Sequence, residues 1–182
     1  MHSRIGWICL LAVAAVALPT GCRSGVDAKA EKAAIAKVID DNIGWFKEKN
    51  FDLLFSTTTN GPDLFMFQLD TSSTIRGFTE LKKYSAGWRN PEVKYAGHRF
   101  RDLDIRLSRS GDTAWFSAML EDCARVKDRP TRCFTSRYTG VLERRGNRWL
   151  IVQQHFSLPA ESIAPDWPQR TAHPPTLGIS AM

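Results

Sequence analysis

The sequence predicts an α+β domain in which helices come first and an antiparallel meander follows. Three observations predict it. Residues 30–49 carry apolar side chains at helical spacing. From residue 93 to residue 158 the chain reads as alternating segments broken by turn residues. Residues 138–159, YTGVLERRGNRWLIVQQHFSLP, read as two strands joined at Gly146-Asn147. A chain of 182 residues allows one domain with a proper core plus extensions.

The first segment reads as an export signal rather than fold. Arg4 supplies a positive start, residues 5–18 are apolar and uncharged, and Thr20-Gly21 place small residues before Cys22. The apolar run is short for a spanning helix. LPTGC resembles a bacterial lipoprotein signal, although Pro19 stands where that signal prefers an aliphatic residue and Leu18 comes one step early. The resemblance implies cleavage after residue 21 and a lipid on Cys22, hence a domain held by its N-terminus to the membrane and facing the periplasm. The alternative is plain secretion to the periplasm. The expected organisation is a signal at 1–21, a linker at 22–29, one folded domain at 30–158 and a Pro-rich tail at 159–182.

Removal of the signal deletes one basic residue, Arg4, and no acid, leaving 24 Lys+Arg against 19 Asp+Glu, formally +5. The basic residues interleave with acids, so they describe a solvated surface and no nucleic-acid partner is expected. Of four cysteines, Cys9 and Cys22 belong to the signal and its end. Cys123 and Cys133 remain as a pair in an oxidising compartment and are expected to form a disulfide. The histidines, His2, His98, His155 and His173, form no ligand motif, and neither a metal nor any other cofactor is expected.

Element by element, Ile35, Val38, Ile39, Asn42, Ile43, Trp45 and Phe46 make the stripe of the first helix, with the polar Asn42 in its middle and Asp41 at its edge. Residues 50–56 predict a short second helix. Residues 64–69 predict a strand, 71–77 a loop and 78–88 a third helix ended by Asn90-Pro91. Long strands follow at 93–107, bent near Gly97, and at 113–125, 131–144 and 148–158. In the first of these Leu103, Ile105 and Leu107 share one face.

The two cysteines serve as a ruler. If they face each other across an antiparallel pair, Ala118 opposes Tyr138 and Phe116 opposes Gly140 on one face, while Met119 opposes Arg137 and Trp115 opposes Val141 on the other. A three-residue loop at 146–148 would set Tyr138 opposite Phe156 and Gly140 opposite Gln154. A two-residue turn at Gly146-Asn147 would shift the last strand and bring Trp149 and His155 to the helix-facing side. With the three-residue loop, the inner face holds Phe116, Tyr138, Gly140, Leu142 and Gln154, its small residues leaving room. The outer face holds Trp115, Met119, Arg137, Trp149, Ile151 and His155, a composition suited to a second copy of the chain.

The stretch VLERRGNRWLIVQQHFSLPA is similar to the last strands of the SnoaL-like branch of the nuclear transport factor 2-like superfamily. Within it the chain looks most like the association domain of calcium/calmodulin-dependent protein kinase II. The carriers are the basic residues before a Gly turn, Trp149 after it and the ending His155-Phe156-Ser157. The resemblance implies a cone: a curved antiparallel sheet wrapped around a long N-terminal helix with two shorter helices. It implies a cavity at the open end and homodimers formed through the outer face. In the kinase domain basic side chains line the cavity; here Gly140 and Phe156 stand at two of those places, so that anion chemistry does not carry over.

Three functions follow as expectations. The first is a small, mostly apolar molecule bound in a cavity lined by Asn42, Trp45, Phe65, Phe67, Tyr84, Trp88, Phe116, Tyr138 and Gln154. The second is an acid–base enzyme of the isomerase or cyclase type, with Asp41 as general base and Tyr138 or Asn42 supporting an oxyanion. The third is a scaffold whose only working surface is the outer face.

Overall fold

The computed structural model describes residues 27–69 and 74–159. The expected signal, Cys22 and the expected tail beyond Pro159 lie outside them. The first helix, α1 (Ala28–Gly44), begins two residues before its expected start, inside the expected linker, because Asp27 caps it. The Asp27 carboxylate accepts hydrogen bonds from the Lys29 and Ala30 amides at 3.0 and 3.2 Å. A 3₁₀ turn (Trp45–Lys47) follows, and then α2 (Phe51–Thr57), capped by Asn50 onto the Leu53 amide.

Next come β1 (Phe65–Phe67), β2 (Thr74–Arg76) and α3 (Phe78–Ser85), which tightens into a second 3₁₀ turn (Ala86–Arg89). The meander is β3 (Val93–Leu107), β4 (Thr113–Val126), β5 (Arg132–Arg145) and β6 (Arg148–Ser157). The six strands form one sheet in the order β2-β1-β6-β5-β4-β3. The expected loop at 71–77 thus contains β2, paired with β1. The meander is antiparallel throughout, but β1 lies parallel to β6, so the sheet is mixed. A local run such as 64–69 reveals a strand; its direction against β6 depends on a connection through α3 and three hairpins.

Two bulges bend β3, one at Gly97, whose φ of +142° suits glycine, and one between Arg101 and Asp104. The bend carries Leu103, Ile105 and Leu107 against α1, where Ile35 and Ile39 are fully buried. Burial of each such side chain is worth about 1.5–3 kcal/mol. Asn42 lies on the same stripe and is 2% exposed. A second apolar cluster, Leu64, Met66, Ile75 and Leu81, joins the short hairpin to α3. A third, Trp45, Phe51 and Leu54, closes the C-terminal end of α1.

The β4–β5 register is the one the cysteines predict: Cys123 opposes Cys133, which are bonded, Ala118 opposes Tyr138, and Phe116 opposes Gly140. The β5–β6 register combines both alternatives. Tyr138 opposes Phe156 and Gly140 opposes Gln154, as the longer loop requires, yet Arg145 opposes Arg148 across a two-residue turn. A bulge between Val141 and Leu142 reconciles them, with Leu142 opposite Ile151 and Val152 left over. The bulge keeps Ile151 and Gln154 both facing inward although they are three residues apart.

Trp149 and Ile151 are therefore not on the outer face. They are 5% and 0% exposed and belong to the core under α1. Glu31 anchors this end: its carboxylate accepts from Trp149 Nε1 and from Arg144 Nη1, each at 2.6 Å. Gly140 leaves no free room either. A Cβ there would stand 2.6 Å from Phe116 Cε1 and 2.7 Å from the Gln153 carbonyl oxygen. The Phe116 ring already fills that space.

Candidate functional site

The sheet and α1 enclose an open cavity of about 280 Å³. Its inner end is built on three neighbouring elements. Asn42 comes from α1, Ser136 from β5 and Gln154 from β6, all buried. Leu54 and Met66 add apolar surface from α2 and β1. The aromatic walls are Trp45, Phe46, Trp88, Phe134 and Phe156, and Asp122 and Gln68 add polar groups.

Behind this end lies a continuous chain of hydrogen bonds. Thr57 Oγ1 donates to the Leu54 carbonyl at 2.7 Å, so its oxygen accepts from Asn42 Nδ2 at 2.8 Å. That contact orients the Asn42 amide and leaves Oδ1 to accept the Tyr138 hydroxyl at 2.9 Å. The side-chain amide oxygen of Gln154 lies 3.0 Å from the same hydroxyl. A phenol has one proton, and Asn42 takes it. Gln154 Oε1 is a second acceptor facing the same hydroxyl, and Nε2 is the opposite end of its amide.

Tyr138 itself is fully buried, with its ring between Phe156, stacked at 4.4 Å, and the edge of Phe116 at 4.8 Å. Burial drives its phenol far above the ordinary tyrosine range, so it stays protonated. It supports the cavity floor from behind. It does not line the cavity.

Two groups on the wall have no side-chain hydrogen-bond or salt-bridge partner among the described residues, although the Asp122 carboxylate accepts from the Cys123 backbone amide. Ser136 is 0% exposed and its hydroxyl has no hydrogen-bond partner among the described residues. Asp122 forms no salt bridge among the described residues. Burial raises its carboxyl above the usual range, against a smaller pull downward from His98. His98 pairs with Asp122 across the β3–β4 ladder, but its ring is engaged elsewhere: Nε2 lies 2.9 Å from Asp40 and Nδ1 2.8 Å from the Tyr95 hydroxyl.

Of the residues expected to line the cavity, Asn42, Trp45, Trp88 and Gln154 do so. Phe116 and Tyr138 form its backing. Tyr84 packs edge-on against Trp88 at 5.3 Å, outside the lining. Phe65 and Phe67 face the opposite way. Leu64 and Met66 are the buried side of β1, Phe65 sits under the Arg76 guanidinium, and Phe67 is exposed beside His155. With two apolar faces in 64–69, sequence alternation alone could not decide which pointed inward. Asp41 is not in the cavity. Its carboxylate is held by Lys37 at 2.6 Å, one helical turn back, so it is not placed to act as general base.

Asp122 and Ser136 were missed. The cysteine ruler extended one step in each direction would have found them, since Asp122, Leu120 and Ala118 share a face with Phe134, Ser136 and Tyr138.

The outer face carries a cross-strand row of Arg106, Trp115, Val141, Gln153 and Phe65. Trp115 is 49% exposed, Met119 is half-buried, and Arg137 is exposed with Nη1 donating to the Leu158 carbonyl.

A family model described as a SnoaL-like domain matches residues 35–161. Among solved structures, the association domain of calcium/calmodulin-dependent protein kinase II from C. elegans is similar at 18% identity and a TM-score of 0.58, over 71% of this chain and 96% of that one. A type 2 hexachlorocyclohexane dehydrochlorinase is similar at 16% identity and a TM-score of 0.58, over 70% and 84%. An NTF2-like protein from Cytophaga hutchinsonii is similar at 17% identity and a TM-score of 0.55, over 70% and 98%. These likenesses establish a shared fold. No curated protein sequence matches this chain.

Proposed function

This chain belongs to the SnoaL-like domain family, and we propose that it is an exported domain that binds a small, mostly apolar molecule in its cone. The observation that carries this reading is the Ser136 hydroxyl. A buried hydroxyl without a partner costs about 1–3 kcal/mol, and this one stands on the wall of an open, aromatic-lined cavity. A ligand with one polar group satisfies it. The proposed address is the bacterial cell envelope, with the domain tethered through lipid on Cys22. The support is the apolar, uncharged run before LPTGC.

Native mass spectrometry of the protein purified from its own host tests both parts. The expected result is a retained small molecule that is lost on denaturation, together with a diacylglyceryl mass on an N-terminal Cys22. An apo chain that also fails to bind any apolar molecule would remove the ligand. An unmodified chain beginning elsewhere would remove the tether.

A second reading concerns assembly. Trp115 in the outer row is a large apolar group left half in water, and the family fold includes the kinase association domain. We propose that this face pairs two copies of the chain, through Trp115, Met119, Arg137 and His155.

A further inference from the structure

We infer that the cavity takes an apolar molecule carrying a protonated amine. The inference rests on the ligand-binding reading above and names the chemical class of the ligand. The cavity lining contains one ionisable group, Asp122, and no lysine, arginine or histidine among the described residues. An anionic ligand would meet an uncompensated carboxylate. A neutral apolar ligand would bury that carboxylate further without pairing it, which is costly. An ammonium pairs with it.

The remaining polar atoms point the same way. Ser136 has a free hydroxyl oxygen, and it stands one inward position along β5 from Phe134, which opposes Asp122. The wall thus offers two acceptors, a carboxylate and a hydroxyl, to a head group rich in donors. Around them stand Trp45, Trp88, Phe134 and Phe156. Aromatic faces attract a cation, the more so when water is excluded. They receive its hydrocarbon body equally well. His98, which opposes Asp122 across the β3–β4 ladder, has both ring nitrogens engaged, by Asp40 and by the Tyr95 hydroxyl, and forms no salt bridge with Asp122.

Three near-isosteric probes separate the possibilities: 2-phenylethylamine, 2-phenylethanol and phenylacetate, titrated calorimetrically into the full chain at pH 7. The amine is expected to bind about tenfold or more tightly than the alcohol, as a charge-assisted hydrogen bond predicts, and phenylacetate the most weakly. Asp122→Asn should bring the amine and alcohol affinities together, and Ser136→Ala should weaken the amine severalfold. Trp115→Ala, on the outer face, should keep the preference. An alcohol that binds as well as the amine, or a preference that survives Asp122→Asn, overturns the inference while the ligand-binding reading stands. Failure of all three probes to bind overturns both.

Discussion

Asn42 and Tyr138, 96 residues apart in the chain, meet at 2.9 Å through the helix–sheet interface, both buried. This contact ties α1 to the centre of the sheet and positions the inner end of the cavity. A polar residue in the apolar stripe of a helix and a tyrosine on the inner face of a strand explain each other. Each satisfies a group that would otherwise be buried without a partner.

Tyr138→Phe removes the hydroxyl and strands both Asn42 Oδ1 and the Gln154 amide. The expected cost is about 1–3 kcal/mol in urea unfolding. Combined with Asn42→Ala in a double-mutant cycle, the coupling energy should reach at least about 0.5 kcal/mol. Strict additivity of the two changes would show that the contact contributes nothing.

Gly140→Ala places a methyl group where the Phe116 ring and the Gln153 carbonyl already stand. Overpacking of this kind costs about 1–3 kcal/mol. Because Phe116 also supports Tyr138, the near-ultraviolet circular dichroism of the aromatic stack should change with it. An unchanged unfolding midpoint would contradict the packing described here.

Two tryptophans of the hairpin region should behave oppositely. Trp149→Ala empties a core site and removes the indole donor from Glu31 Oε2, with an expected loss of about 3–5 kcal/mol. Trp115→Ala, on the exposed face, should change the stability of the monomer by no more than about 0.5 kcal/mol. If the outer face joins two copies, sedimentation velocity should show Trp115→Ala as a monomer at concentrations where the parent chain is a dimer. A Trp115→Ala dimer of unchanged affinity would refute the assembly.

The raised Asp122 carboxyl makes stability depend on pH in a defined direction. Its folded pKa lies above its unfolded one, chiefly through burial. Its contribution is therefore undiminished below the unfolded value, near 4, and declines as pH rises through the folded value. Asp122→Asn removes this decline. The variant should melt higher than the parent at pH 7 and show no such gain at pH 3. An equal gain at both pH values would mean that the effect is not ionisation.

Much of the architecture was legible because it is written in local periodicity. The stripe from Ile35 to Phe46 marks a helix, and alternation marks the four long strands, whose observed bounds fall within about a residue of those expected. The Cys123–Cys133 pair even set the β4–β5 register, because side chains alternate strictly and one known pair orders the rest. The same strictness explains the failure on β6. A single bulge at Val152 reverses the parity, so the ruler was right for Gln154 and Phe156 and wrong for Trp149 and Ile151.

The sequence by itself thus determined the three helices, the four long strands and the family resemblance, since these follow from spacing along the chain. Only the tertiary structure decided which wall of the cavity carries charge. Asp41 sits nearer the apolar stripe in sequence, yet Lys37 holds it at the helix surface, while Asp122 reaches the cavity from the far end of β4. The physical reason is that a cavity is made where separate elements fail to touch. That gap depends on the bend of β3, the bulge of β6 and the packing of α1 together, and no local pattern records it.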